Sequence, residues 1–429
     1  MATSEPDGIA QSQLDALQAL LAKLAQGNAF YGAKLKEGGL ENGVTSLAQF
    51  SRNMPWTTKP ELIADQEANP PYGTNLTYPI EGYTRFHQTS GSTGKPLRWL
   101  DTPASWMTLV DNWVRVFRAA GVAAADRCFF AFSFGPFLGF WTAFEAASKL
   151  GCLCIPGGGM RSLGRLQAIL DNQVTVLCCT PTYAIHLGQV ARAEGLDMGR
   201  SNLKRILVAG EPGGSIPAVR DTIHDLFPGA RVYDHHGMTE IGPASMPCPD
   251  RPDVLHLIEP GFFAEVIDPE AEKPVAGGEP GELVITNLER DGMPLLRYRT
   301  GDLVKIESGP CRCGRHQSRL LGGILGRLDD MVIVRGVNLY PAAFDEIVRQ
   351  VDGIVEYRVL IEESKGLNGL RVEIEARQQG EAESLAKVLS DQLHARFNLR
   401  IHVASVPAES LPRFELKAKR WQRIEPAAR

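Results

Sequence analysis

Five leucines near the N-terminus, Leu14, Leu17, Leu20, Leu21 and Leu24, recur at intervals of three and four residues, which predicts an amphipathic helix with one stripe to pack on a core. From about residue 100 to 300 the pattern turns to short apolar runs separated by amphipathic stretches. VTVLCCT (174 to 180), RILVAGE (205 to 211) and RVYDHHG (231 to 237) read as strands, and strands alternating with helices predict an α/β architecture with parallel sheet. The uncharged run CFFAFSFGPFLGFWTAF, between Arg127 and Glu145, is shorter than the ~20 residues of a membrane span, and Gly135-Pro136 breaks it. It reads as a buried strand, a turn and the start of a helix. The Pro/Gly-rich passage 268 to 287 predicts a hairpin-rich β region, and 331 to 429 reads strand, helix, strand, strand, helix, strand, a small α+β module.

Composition narrows the class. A chain of 429 residues favours two or three domains over one core, and 44% apolar with 22% charged residues fits neither a disordered nor a fibrous protein. Lys plus Arg number 45 against 50 Asp plus Glu, a formal charge of -5, so nothing draws the chain to nucleic acid or an anionic membrane. The N-terminus carries acidic residues ahead of its apolar stripe, unlike a secretory signal. With eight cysteines and no such signal, reduced thiols in a cytoplasm are expected. Cys128, Cys152, Cys154, Cys178 and Cys179 lie in apolar surroundings and read as small core residues.

The sharpest local signal is Thr89-Ser90-Gly91-Ser92-Thr93-Gly94-Lys95-Pro96. Hydroxyls, unencumbered backbone N–H groups and one ammonium are what surrounds a polyphosphate. It is not a Walker A loop, because only Ser92 and Thr93 separate Gly91 from Gly94-Lys95, and Pro96 follows. Alone, such a stretch also suits a flexible surface turn. Four further segments follow in order: Ala209-Gly210-Glu211-Pro212, YDHHGMTE (Tyr233 to Glu240), Tyr298-Arg299-Thr300-Gly301-Asp302, and Gly326-Arg327-Leu328-Asp329-Asp330.

With these motifs the chain resembles the adenylate-forming superfamily of acyl-CoA synthetases, adenylation domains and luciferases, in its phenylacetate-CoA ligase-like branch. GRLDDMVIVRGVNLYP (326 to 341) and LPRFELKAKR (411 to 420) carry the branch likeness, and the whole spans about 85 to 420. The resemblance implies a large N-terminal α/β body of packed sheets and helices with a β-rich subdomain (1 to 326), a hinge at 327 to 330 centred on Asp329, and a small mobile α+β C-terminal domain (331 to 429). It also implies ATP, Mg²⁺ and coenzyme A. Thr89, Ser90, Gly91, Ser92, Thr93, Gly94 and Lys95 would hold the β- and γ-phosphates, Thr239 would contact the α-phosphate, and Glu240 would ligate Mg²⁺. Gly210, Glu211 and Pro212 would line the adenine slot, Tyr233 would be either a wall of the adenine and acyl sites or a plain sheet aromatic, Asp302 would accept from the ribose, and Arg327 would approach ribose or phosphate. Lys417 would bridge carboxylate and phosphate during adenylation, and Gly336 would edge the thiol tunnel after the small domain swings. Leu416 departs from the family's usual Gly before that lysine.

Two sites rest on residue chemistry. Cys248, His256, Cys311 and Cys313 offer three thiolates and an imidazole, the set of a closed structural zinc site; unrelated reduced thiols and a surface His are the other reading. An apolar acid pocket is expected from Phe132, Phe134, Phe137, Phe140 and Trp141, the turn Gly157-Gly158-Gly159, and His235, His236 and Gly237. A glycine turn leaves room for a flat ring, and together with the branch this favours an aryl or arylacetic acid. The acceptor is CoA in the leading reading. A separate carrier protein, a non-catalytic adenylate-binding relative and a homodimer stay open.

Overall fold

The computed structural model describes residues 6–89, 95–334, 337–364, 367–414 and 418–424. Helix Pro6–Gly27 buries Leu17, Leu20, Leu21 and Leu24 completely or nearly so, with Leu14 at the edge of the same cluster. Tyr31, Phe50, Leu288 and Leu296 complete this core, which fastens the helices Ala29–Glu37 and Leu47–Asn53 to the rest of the molecule. Each buried leucine contributes roughly 1.5–3 kcal/mol. A fourth helix, Lys59–Ala68, starts on a capping box between Thr58 and Glu61.

A five-stranded parallel sheet forms the centre, in the order Leu153–Pro156, Arg127–Phe130, Val176–Cys179, Arg205–Val208, Arg231–Asp234. Successive residues alternate between two cores: Cys128, Phe130, Val176, Cys178 and Leu207 belong to one, Phe129, Leu177, Cys179, Ile206 and Val208 to the other. That alternation is why the strands read as unbroken apolar runs, since both faces are covered. Helices Ser162–Asp171, Pro181–Ala193 and Pro217–Leu226 supply the second core. On the other face, helices Pro103–Ala119 and Trp141–Lys149 pack between this sheet and a seven-stranded antiparallel sheet. The latter runs Ser245–Pro247, Val254–Leu257, Arg319–Leu321, Tyr298–Glu307, Pro280–Asn287, Phe262–Ile267, with Gly326–Arg327 joined to Tyr298–Glu307.

The C-terminal part has its own core, built on Val332, Leu339, Phe344, Val359, Val372, Ile374, Leu389 and Leu393. Its four-stranded sheet is ordered His402–Ser405, Leu367–Ala376, Ile354–Ser364, Trp421–Ile424, with helices Pro341–Gln350 and Ala382–Phe397. Two strands go beyond the six-element reading: Val337–Leu339 closes a hairpin with Val332–Val334, and Trp421–Ile424 adds parallel to the sheet. Among the described residues no helix is long and apolar enough to cross a membrane.

Candidate active site

In an open parallel sheet, ligands bind beyond the carboxyl ends of the strands. Here four of the five ends open into a sequence motif: Phe132 to Trp141 after Phe130, Gly157–Gly159 after Pro156, Gly210–Pro212 after Val208, and His235–Glu240 after Asp234. The hydroxyl-rich segment comes from elsewhere in the sequence, between the paired strands Arg85–Gln88 and Arg98–Asp101. Its base is closed by Thr89, whose N–H donates to the Leu97 carbonyl (2.9 Å) and whose Oγ1 accepts from the Leu97 N–H (3.0 Å). Ser90, Gly91, Ser92, Thr93 and Gly94 lie outside the described residues, as do Gly336 and Lys417. Lys95 is exposed and pairs with Glu67 at 2.6 Å.

Asp302 is buried on strand Tyr298–Glu307, directly across the ladder from Arg327. Its Oδ1 accepts from Arg327 Nη1 (2.9 Å) and its Oδ2 meets His236 Nε2 (2.8 Å). A carboxylate has about four lone-pair sites, so two remain for diol hydroxyls. Arg327 also forks onto Asp329 at 2.8 and 3.0 Å. Burial would lower the Arg327 pKa, but the Asp302 and Asp329 carboxylates outweigh it and raise it. Gly301, at φ +73°, makes the turn before Asp302; a Cβ there would meet Arg327 Nη2 at 3.2 Å.

Glu240 is buried, with Lys59 Nζ 3.2 Å from its Oε1. The half-buried Thr239 and Glu240 both accept through their carbonyls from Arg290 Nη1, at 3.1 and 2.8 Å. Glu211 joins distant segments: Oε1 accepts from the Thr182 N–H (2.9 Å) and Oε2 from the N–H of Ala418 (3.1 Å), the residue after Lys417. Tyr233 lies half-buried one residue before the end of its strand, with the Arg231 guanidinium over its ring.

The aromatic residues form one chain of rings. Phe134 touches Phe132 (4.6 Å between centroids) and Trp141 (4.7 Å), Phe132 touches Phe140 (5.1 Å), Phe140 touches Trp113 (5.7 Å), and Trp113 touches His235 (4.3 Å). Gly158 faces this group, its absent Cβ falling 3.5 Å from the Phe134 ring. Gly237 permits a close approach of backbone to His235, since a Cβ there would sit 3.2 Å from Nε2 and 2.7 Å from the Gly242 carbonyl. Of the two histidines expected at the acid, His235 lies at the rings and His236 is turned to Asp302, since neighbouring side chains point to opposite sides of the extended segment. Burial pushes the His235 pKa down to about 3, so the ring is neutral.

Cys248, His256, Cys311 and Cys313 converge with one ligand atom each, all within 4.8 Å of one another. Cys248 and Cys311 sulfurs are 3.9 Å apart, and Cys313 Sγ is 3.3 Å from His256 Nε2. His256 Nδ1 is 3.2 Å from the Gln317 carbonyl, which only accepts, so the proton sits on Nδ1 and Nε2 offers its lone pair inward. A tight turn, with the Gly314 N–H bonded to the Cys311 carbonyl, brings Cys311 and Cys313 to the same side. All eight cysteines are free thiols.

Three residues of the site escaped the sequence reading: Trp113, Lys59 and Arg290. Trp113 lies on the apolar stripe Trp106, Leu109, Val110, Trp113, Phe117, which has readable helical spacing. The Thr58–Glu61 capping box marks where Lys59 starts its helix, but no local signal points either cation at its distant partner.

A parallel sheet opening toward an antiparallel subdomain and a separately cored C-terminal module, with a buried glutamate and a buried aspartate where they meet, is the architecture of an adenylate-forming enzyme. The AMP-binding enzyme family matches residues 86–288 and the AMP-binding enzyme C-terminal domain matches 336–422. A phenylacetate-coenzyme A ligase of Pseudomonas putida is 30% identical over 427 residues, 97% of this chain and 94% of the relative. One from Thermus thermophilus is 31% identical over 89% of this chain and 84% of its own. The chain belongs to the AMP-binding, adenylate-forming family, in its phenylacetate-CoA ligase-like branch. Among solved structures, 2-hydroxyisobutyryl-CoA ligase in the postadenylation state with 2-HIB-AMP superposes with a TM-score of 0.91, at 28% identity over 98% of this chain and 91% of that one. The same enzyme with 2-HIB-AMP and CoA in the thioesterification state gives 0.73, at 29% identity over 99% and 91%.

Proposed function

We propose that this protein is an AMP-forming ligase that converts an aromatic carboxylic acid to its acyl-adenylate and then to its CoA thioester. One observation carries the reading: His235 and His236, adjacent in sequence, face a ring of aromatic side chains and the Asp302–Arg327 pair respectively, so an aryl group and a ribose would be held on either side of one turn. The mixed anhydride that joins acid to nucleotide would lie across that turn.

In the first half-reaction a carboxylate oxygen attacks the α-phosphorus, and the new O–P bond forms as the bond to pyrophosphate breaks. Anion meets anion, so positioning and charge neutralisation carry the rate. Asp302 orients the ribose, Arg327 holds Asp302, and Lys95, Lys417 and the 89–94 hydroxyls and amides neutralise the phosphates. Glu240, a buried hard-oxygen ligand whose counter-ion is a partly exposed ammonium, suits Mg²⁺, which would add charge neutralisation at the phosphates. In the second half-reaction the CoA sulfur attacks the acyl carbon, the C–S bond forms, and AMP leaves with the electron pair of the broken C–O bond while the thiol proton passes to solvent.

We take 1–326 as the body, 327–330 as the hinge and 331–429 as the mobile domain. Arg327 spans the junction, and its pair with the half-exposed Asp329 is worth only about 0–1 kcal/mol, little hindrance to rotation there. The higher score against the postadenylation state and the Ala418–Glu211 bond support a closed arrangement in which Ala418 is docked on Glu211. Cys248, His256, Cys311 and Cys313 would hold a structural zinc that pins the β subdomain, in a reducing cytoplasm that keeps thiols available.

Incubation of the purified protein with ATP, Mg²⁺, CoA and a panel of aromatic and fatty acids tests the reading. Aryl-CoA, AMP and pyrophosphate in equal amounts are expected. Thioester formation confined to aliphatic acids, or none with any acid, overturns it.

A further inference from the structure

The orientation of His235 restricts what the aromatic pocket accepts. His235 Nδ1 lies 2.8 Å from the Ser245 carbonyl, and a carbonyl can only accept, so Nδ1 carries the ring proton. Nε2 is therefore a bare acceptor. Among the described residues no hydrogen bond reaches it, and it stands close to the Gly237 backbone, 3.2 Å from where a Cβ on that residue would lie. The imidazole packs against Trp113 at 4.3 Å, on the aryl side of the turn, while His236 takes the Asp302 side. A carboxylate or phosphate, offering only acceptors, gains nothing from such a nitrogen. A hydroxyl or amino group on the ring does.

We propose that His235 Nε2 accepts a hydrogen bond from a donor substituent of the substrate, which makes the preferred acids hydroxy- or amino-substituted aryl carboxylic acids. The inference rests on the proposed aryl-acid activation and deepens it. It also assigns His235 as a specificity-determining residue. Because the ring is held neutral, the acceptor is present throughout the working pH range. A buried group that loses its partner discriminates strongly: a site built to bond a substrate hydroxyl or amine rejects the analogue lacking it by up to about 10⁴-fold, whereas a methyl group in an apolar pocket alters selection by about 10–200-fold.

The test is acid-dependent ATP–pyrophosphate exchange with 2-, 3- and 4-hydroxybenzoate, 2- and 4-aminobenzoate, the matching methylbenzoates, benzoate and phenylacetate. For the wild type, the best hydroxy or amino acid is expected to exceed benzoate, phenylacetate and its own methyl isostere in kcat/KM by at least about tenfold. His235→Leu should bring that ratio to within about threefold of unity, and His235→Gln, which keeps an acceptor oxygen, should restore part of it. Wild-type exchange as fast with benzoate or a methylbenzoate as with the best donor-bearing acid overturns the proposal, as does His235→Leu with an unchanged ratio. The wild-type panel decides alone if His235→Leu does not fold. Exchange with no aromatic acid overturns the underlying reading as well, so the two failures are distinct.

Discussion

Arg290 and Asp101 form a fork-to-fork ion pair at 2.7 and 2.7 Å, with side chains 1% and 0% exposed. Asp101 ends the hairpin that carries the 89–97 loop, while Arg290 also holds the carbonyls of Thr239 and Glu240. One guanidinium therefore sets the hairpin strand Arg98–Asp101 against the turn that bears the expected magnesium ligand. Removing one partner of such a buried pair costs about 3–5 kcal/mol, whereas replacing both with apolar residues is often neutral. Arg290→Lys keeps the charge but loses the fork, and is expected to slow ATP–pyrophosphate exchange by about 10–100-fold while conversion of supplied aryl-adenylate to aryl-CoA stays near wild type. The pair Arg290→Met with Asp101→Leu should regain thermal stability without regaining exchange. Wild-type exchange in that double variant would contradict the positioning role.

Lys59 supplies the counter-charge of Glu240, although its own side chain is 35% exposed. Lys59→Met leaves a buried carboxylate without a cation, a loss of about 1–3 kcal/mol. The melting temperature is expected to fall by several degrees, and the deficit should shrink when Mg²⁺ and ATP are added, because the metal takes over the charge. A deficit that Mg²⁺ and ATP leave untouched argues against Glu240 as the ligand.

Asp234 lies beneath the same turn, accepting from Ser215 (2.6 Å) and from the His235 N–H (2.9 Å), yet burial pushes its pKa up from 3.8 to about 6. For a raised acid the neutral form is favoured by folding, so its contribution is complete below 3.8 and is lost as pH rises through about 6. Asp234→Asn is neutral at every pH. The stability of the variant relative to wild type should rise by about 2–3 kcal/mol between the acidic and neutral ends of that window, read by denaturant titration. A flat difference would show that Asp234 is ionised throughout.

The cysteine and histidine cluster predicts about one zinc per chain by metal analysis. Cys311→Ser should lose most of it and lower the melting temperature, while exchange measured well below that temperature changes little, since the cluster holds the β subdomain and no reacting atom. Protein free of metal, with Cys311→Ser melting as wild type does, would remove the site.

Much of this arrangement is legible from sequence where the signal is local. The leucine stripe of Pro6–Gly27 and the apolar runs at 176–179, 205–208 and 231–234 are periodicity, and periodicity survives folding. Asp302 and Arg327 each sit in a motif, and the ladder makes them partners. The pairing of Arg290 with Asp101, 189 residues apart, leaves no local trace, nor does the approach of Lys59 to Glu240. The division of His235 from His236 depends on which way each backbone position points at the end of a strand. Composition cannot carry that.

Acid-dependent ATP–pyrophosphate exchange in the wild type and in Lys417→Ala tests the central claim most directly. An aromatic acid should drive exchange in the wild type. In Lys417→Ala the exchange should drop by at least about 100-fold, while the same protein still turns supplied aryl-adenylate and CoA into thioester at a rate within about threefold of wild type. Equal exchange in the two proteins, or loss of both half-reactions together in a folded variant, would contradict a single site served in turn by a mobile lysine and a thiol.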